Sequence, residues 1–163
     1  YSLGHISGAH FNPAVSVAFY KNKNINFNEL SAYILAQIMG AITASLFHKF
    51  FFGFKHSFGM TINTLSFAQG FLFEVIMTMF LMLTIISVAT DTRASKPMIG
   101  LSIGGMVAVC SFVGGPFTGA SMNPARSLGP AVLSLNFNNI IIYILAPLVG
   151  ALIGLYIYKI IRE

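Results

Sequence analysis

The chain has 163 residues, 56% of them hydrophobic and only 8% charged, with a formal net charge of +5. Soluble domains carry about a quarter charged residues, so this composition excludes a water-covered globule and points to a lipid-embedded chain. The basic residues are scattered rather than gathered into a stripe, which speaks against a nucleic-acid-binding face.

In chain order, the first feature is "GAHFNPAVS" at 8–16, an asparagine and a proline inside an apolar run. Asparagine is a favoured N-cap, and proline suits the first helical position, where its missing N–H would be unpaired anyway. The pair predicts a short helix from Asn12 to about Tyr20, entered through a non-helical lead-in, "HISGAH". A membrane span follows at roughly 30–52, since a hydrocarbon layer of ~30 Å needs about 20 helical residues. The phenylalanines crowded at 47–58 read as an interface belt and loop. The second span, 67–90, carries Glu74 about a third of the way in, and the third covers 97–114 with the single Cys110, which excludes an intramolecular disulfide. "GASMNPARS" at 119–127 then repeats the asparagine-proline turn, with the lead-in "PFTGAS" and a helix from Asn123 to about Val132. The last span, "IIIYILAPLVGALIGLYIY" at 140–158, has no charge at all.

Lys21, Lys23, Arg93, Lys96, Lys159 and Arg162 fall on one side of these spans, whereas the loop between the first two holds Lys49 and Lys55. The richer side is cytoplasmic by the positive-inside rule. "SGAHFNPAVS" and "TGASMNPARS" agree at six of ten positions, as do "YILAQIMGAI" (33–42) and "YILAPLVGAL" (143–152), at offsets of 111 and 110. Two aligned windows in one order mark an internal duplication. It divides one domain, 1–163, into a first repeat over 1–54 and a second over 67–163. Two spans precede Asn123 in its half, but only eleven residues precede Asn12. The asymmetry predicts two further transmembrane helices upstream, about 45 residues at ~20 per span. Three spans separate the motifs, so they enter from opposite faces, the inverted-repeat arrangement of transport proteins.

Each half-helix is ~12–14 Å long at 1.5 Å per residue, and two meeting start to start make one composite span of ~25 Å. Non-helical backbone at that depth is tolerated when it is buried in protein or lines water. An N-cap asparagine uses its oxygen on the helix and leaves its NH₂ to donate, so Asn12 and Asn123 aim donors at one point. A water accepting from both has its lone pairs occupied and cannot accept a relayed proton. The two positive helix ends repel cations there. Arg126, in the position held by Val15 in the first repeat, adds a full charge. At ~4 Å and an effective dielectric near 20 it repels a cation by about 4 kcal/mol, roughly a thousandfold. Glu74 is read as an acceptor for the non-helical approach to Asn123 rather than a proton carrier, for want of a second acid or base to relay to. Gln37 and Gln69 read as interhelical hydrogen bonds, and Ala36/Gly40/Ala44, Ala146/Gly150/Gly154 and Gly100/Gly104 as close-packing stripes. His5, His10, His48 and His56 lack metal-ligand spacing, and no cofactor or metal is expected.

On these residues the chain resembles the major intrinsic protein (aquaporin) family, whose signature is two Asn-Pro-Ala turns in inverted repeats. "GHISGAHFNPAV", "ATDTRA" (89–94) and "GPFTGASMNPARSLGPAV" look especially like nodulin-like intrinsic proteins and their bacterial relatives. The resemblance implies an all-α membrane bundle of tilted helices, here four full spans plus two re-entrant half-helices, assembled as a homotetramer in the plasma membrane. It implies a pore constriction at Asn12 and Asn123 and pore-lining carbonyls at Gly8, Ala9, His10, Gly119, Ala120 and Ser121. A selectivity filter would be built by Arg126, Ser111 and Ala120 with a residue upstream of Tyr1. The small side chains of Ser111 and Ala120 imply a filter wide enough for polyols or neutral metalloid acids. The expected function is passive passage of water and small uncharged solutes, with exclusion of protons and ions and no catalysis. The alternative is a secondary transporter with a midplane solute site, which needs an ion or proton site that Glu74 alone could supply. An intramembrane enzyme would need a base beside Ser111, and none is evident.

Overall fold

The computed structural model describes residues 1–53 and 59–162. The end of the phenylalanine-rich stretch, with Lys55 and His56, lies outside the described residues. Four helices are long and apolar enough to cross a membrane: α3 (Phe27–Phe52), α4 (Phe67–Thr90), α5 (Ile99–Thr118, entered through a 3₁₀ turn at Lys96–Met98) and α7 (Ile140–Ile161). Two short helices follow the asparagine-proline turns, α2 (Pro13–Lys21) and α6 (Pro124–Ser134), and a single turn, α1 (Gly4–Ser7), precedes the first motif.

Local chemistry sets most boundaries. The α3 helix starts three residues earlier than its apolar run because Asn26 and Glu29 form a reciprocal capping box. The α4 helix starts on a second box, Ser66 with Gln69. Gln69 is therefore a capping residue, which corrects its reading as an interhelical bond. The α5 helix runs four residues past the expected stop, through Pro116 to Thr118, and ends where Gly119 turns left-handed at φ 78°. The α1 turn ends the same way at Gly8, φ 71°. Both lead-ins are thus shorter than expected: "HIS" and "PFT" are helical, and only four residues before each asparagine are not.

The centre of the molecule is the pair α4 and α7, in which 44% of the apolar window is buried against 11% for α3 and α5. Glu74, Thr78, Met82 and Ile86, spaced by four, form the buried stripe of α4. On α7 it meets the small residues Ala146, Gly150 and Gly154, and at the two glycines the missing side chain lets the helices approach until backbones touch. A Cβ on Gly150 would collide with the Val75 carbonyl and lie 3.0 Å from the Met79 nitrogen. In the same manner Gly129 seats α6 on the Ala41 backbone of α3. Among the described residues the corresponding first-repeat stripe, Ala36, Gly40 and Ala44, meets no such partner: it is exposed, with nothing within 4 Å of a Cβ built on Gly40. Gly104 is likewise open, while Gly100 lies under the Tyr1 ring.

At one end of this pair Asp91, which follows α4, accepts a bidentate pair from Arg93 and a hydrogen bond from Tyr158 of α7. The Arg93 hydrogen bond, followed by that of Tyr158, holds the Asp91 carboxyl well below its usual range. The tie therefore persists through the physiological pH range.

Candidate functional site

The two lead-ins share one backbone conformation. Gly8, Ala9 and Phe11 have φ of 71°, 49° and 51°, and Gly119, Ala120 and Met122 have 78°, 44° and 51°. Left-handed backbone costs a non-glycine residue roughly 1–2 kcal/mol, so each lead-in stores strain at two positions. The strain turns carbonyls away from the chain's own donors. Among the described residues, no hydrogen bond uses the carbonyls of Gly8, Ala9, His10, Gly119, Ala120 or Ser121. The flanking carbonyls, by contrast, are all taken. Tyr33 donates to Ser7 and Tyr143 to Thr118, the two tyrosines heading the repeated "YILA". The Phe11 and Met122 carbonyls each accept from an asparagine. Three open acceptors in each repeat are thus bracketed by occupied ones. The two tyrosines are absent from the sequence-derived site, and the "YILA" repeat is the signal that points to them.

Asn12 and Asn123 cap their helices, accepting from the Ala14 N–H at 2.9 Å and the Ala125 N–H at 3.0 Å. Their amide nitrogens then cross between repeats. Asn12 Nδ2 donates to the Met122 carbonyl at 2.7 Å, and Asn123 Nδ2 to the Phe11 carbonyl at 2.9 Å. The half-helices therefore meet start to start. The expectation of a wholly free NH₂ needs correcting: one hydrogen of each amide locks the opposite motif, and one remains to donate. Asn12 is buried, while Asn123 is partly exposed on a cavity of about 530 Å³.

Glu74 is fully buried and accepts three hydrogen bonds from the second lead-in, all at 2.7–2.8 Å: the Thr118 hydroxyl, the Ser121 N–H and the Met122 N–H. It holds the strained segment from behind. In front, the α3–α4 connection crosses the same segment. Thr64 N–H donates to the Phe117 carbonyl at 2.8 Å, and a Cβ on Gly119 would lie 2.9 Å from the Thr61 Cα. From this connection the Gly59 carbonyl accepts from Arg126 Nη1 at 2.6 Å. The arginine thus faces the cavity with a backbone acceptor as its partner, and the ion pair recorded among the described residues is Asp91–Arg93.

His10, Gln37, Asn123 and Arg126 share the lining of this cavity. The structure brings neither Ser111 nor Ala120 to it: Ser111 lies on an exposed face of α5, and Ala120 is buried within the second lead-in. Gln37 does bridge elements, as expected, donating to the Ser16 hydroxyl at 2.9 Å.

The fold and site define an inverted-repeat, aquaporin-like membrane bundle in which two half-helices abut at their capped starts. Residues 1–158 match the Major intrinsic protein family, and the chain belongs to it. It is a multi-pass integral membrane protein. Curated relatives include Nodulin-26 of Glycine max, 47% identical over 99% of this chain and 60% of its own length. Aquaporin NIP1-1 of Zea mays is 45% identical over 99% of this chain and 58% of its own. The chain thus spans about 60% of the length of the curated relatives it matches. Among solved structures, the aquaglyceroporin from Plasmodium falciparum is similar at a TM-score of 0.83 and 25% identity, covering 96% of this chain and 74% of that one.

Proposed function

We propose that the protein is a passive channel that conducts water and small uncharged solutes and excludes protons and ions. The observation that carries this reading is the reciprocal bonding of Asn12 and Asn123 at the facing starts of two half-helices. Each amide keeps one hydrogen for a passing oxygen, and the open carbonyls of 8–10 and 119–121 offer acceptors on either side. A water or hydroxyl can therefore exchange partners step by step along the path. The two N-termini contribute roughly +0.5 charge each at the meeting point, and Arg126 adds a full one beyond it. Cations are repelled by both.

In this reading Asn12 and Asn123 form the constriction and Arg126 stands in the filter, while Ser111 and Ala120, which do not line the cavity, stay outside it. Glu74 is the support of the second re-entrant loop. The chain is one channel domain, with residues 1–54 from the first repeat and 67–163 from the second. It works without a covalent step, as a homotetramer in the plasma membrane. Likeness to an aquaglyceroporin supports polyols or neutral metalloid acids as solutes beside water. The three donors that occupy Glu74 favour a channel over an ion-coupled transporter, since a carboxylate so engaged is poorly placed to shuttle a proton.

The test is osmotic shrinkage of reconstituted vesicles with a pH-sensitive dye inside. Shrinkage should be accelerated in water and glycerol gradients with no proton flux. Arg126→Ala should keep the water rate and admit small cations. Cation exclusion unchanged in that variant would remove Arg126 from the filter, and saturable flux driven by a proton gradient would overturn the channel.

A further inference from the structure

Ser16 and Ser127 occupy the same place in the two repeats, four residues after each asparagine, and both are buried. Each hydroxyl lies between a donor from outside the motif and the third lead-in residue, His10 or Ser121. In the second repeat the bonds run in one direction. Ser121 Oγ donates to the Asn123 carbonyl at 2.9 Å, an oxygen that can only accept. Its single hydrogen is then spent, so in the 2.6 Å contact Ser127 donates to Ser121. The Ser127 hydrogen is spent in turn, and Thr61 Oγ1 donates to Ser127 at 2.9 Å. Direction passes inward, from the α3–α4 connection to the motif.

The first repeat has the same layout with different residues. Gln37 Nε2 donates to Ser16 Oγ at 2.9 Å, and Ser16 Oγ lies 3.1 Å from His10 Nδ1. Among the described residues Ser16 Oγ reaches no acceptor other than Nδ1 once Gln37 donates to it, so its hydrogen goes to Nδ1, which is then the bare nitrogen of the ring. The ring is stacked on both faces, against Phe19 at 4.4 Å and Tyr33 at 4.6 Å. With its faces covered and Nδ1 occupied, the edge left to meet a solute carries Nε2. Gly8 keeps that edge open, since a Cβ there would sit 3.4 Å from Nε2.

We propose that Ser16, oriented by Gln37, is a positioning residue that fixes His10 as the Nε2–H tautomer and so makes the ring a permanent hydrogen-bond donor on the cavity. It is the counterpart of the chain from Thr61 through Ser127. The consequence for selectivity rests on the channel reading. A donor at His10 beside the open carbonyls of 8–10 favours solutes that accept and donate at neighbouring atoms, as water and vicinal hydroxyls do. The tautomer itself does not rest on conduction. An amide turned over at Gln37 would make Ser16 donate to Oε1 and require an N–H at Nδ1, so the tautomer also reports the orientation of Gln37.

Solid-state ¹⁵N NMR of the histidine-labelled chain in lipid bilayers reads the tautomer, with His10→Gln identifying the His10 signals among the four histidines. The unsubstituted chain should show a protonated Nε2 and a bare Nδ1 at His10. Ser16→Ala should lose the single tautomer and populate both, and Ser16→Thr, which restores the hydroxyl, should recover it. An Nδ1–H tautomer in the unsubstituted chain overturns the proposal, as does a Ser16→Ala spectrum with His10 unchanged. Should Ser16→Ala not fold, the unsubstituted spectrum and that of Gln37→Leu, expected to show both tautomers, decide it. Vesicle shrinkage on the same samples separates the two readings. A chain with Nε2–H that conducts nothing sinks the channel alone, and a conducting chain with Nδ1–H sinks this proposal alone.

Discussion

At the scale of single residues, the second lead-in depends on one carboxylate. Glu74 satisfies two backbone N–H groups and a hydroxyl where water is excluded, and a buried donor left without its acceptor costs about 1–3 kcal/mol. Glu74→Gln keeps the shape but turns an NH₂ toward at least one of those donors. The variant is expected to lose about 1–3 kcal/mol, read as a lower thermal unfolding midpoint in detergent. A midpoint equal to that of the unsubstituted protein would mean that the lead-in is held by its crossing connection instead. The acidic group at this depth was legible in the sequence because an intramembrane carboxylate needs donors. The donors' identity was half legible: residues 116–121 were expected to be irregular backbone, but the Thr118 hydroxyl belongs to the last turn of α5.

At the scale of elements, the asparagine-proline turns were readable because capping is local chemistry, and both half-helices begin where the caps predict. That they meet start to start was readable from the inverted repeat, but the atoms that join them were not. The Asn12–Met122 and Asn123–Phe11 bonds join residues 110 and 112 apart, and nothing near either asparagine in sequence encodes that partner. Packing stripes were legible as patterns but not as contacts. Gly150 and Gly154 meet α4, whereas their first-repeat counterparts on α3 face open space. Gly150→Ala should therefore force α4 and α7 apart, at a cost of about 1–3 kcal/mol as for other overpacked contacts. A thermal melt checks it. The same substitution at Gly40 is the informative companion, because a matching loss there would reveal a further helix over the α3 stripe.

At the scale of the whole molecule, the duplication sets the electrostatics. Two half-helices with their starts together bring ~+0.5 charge each to one point, a sum near one elementary charge that neither helix could place there alone. A single carboxylate at that point cancels the sum. In the proposed channel Asn123→Asp keeps the acceptor that caps Ala125 and Arg126. It replaces the donor to the Phe11 carbonyl with a charged oxygen, so the tie between the motifs becomes a repulsion. Asn123 faces the cavity and Asn12 is buried, so the added charge is met by solutes at Asn123. Asn123→Asp should accordingly let sodium enter vesicles that the unsubstituted protein keeps closed, while water shrinkage slows but persists. A sodium-sensitive dye beside the light-scattering trace reads both in one sample. Sodium exclusion intact in this variant would mean that the helix ends are not the barrier, and would leave the charge of Arg126 as the main obstacle to cations.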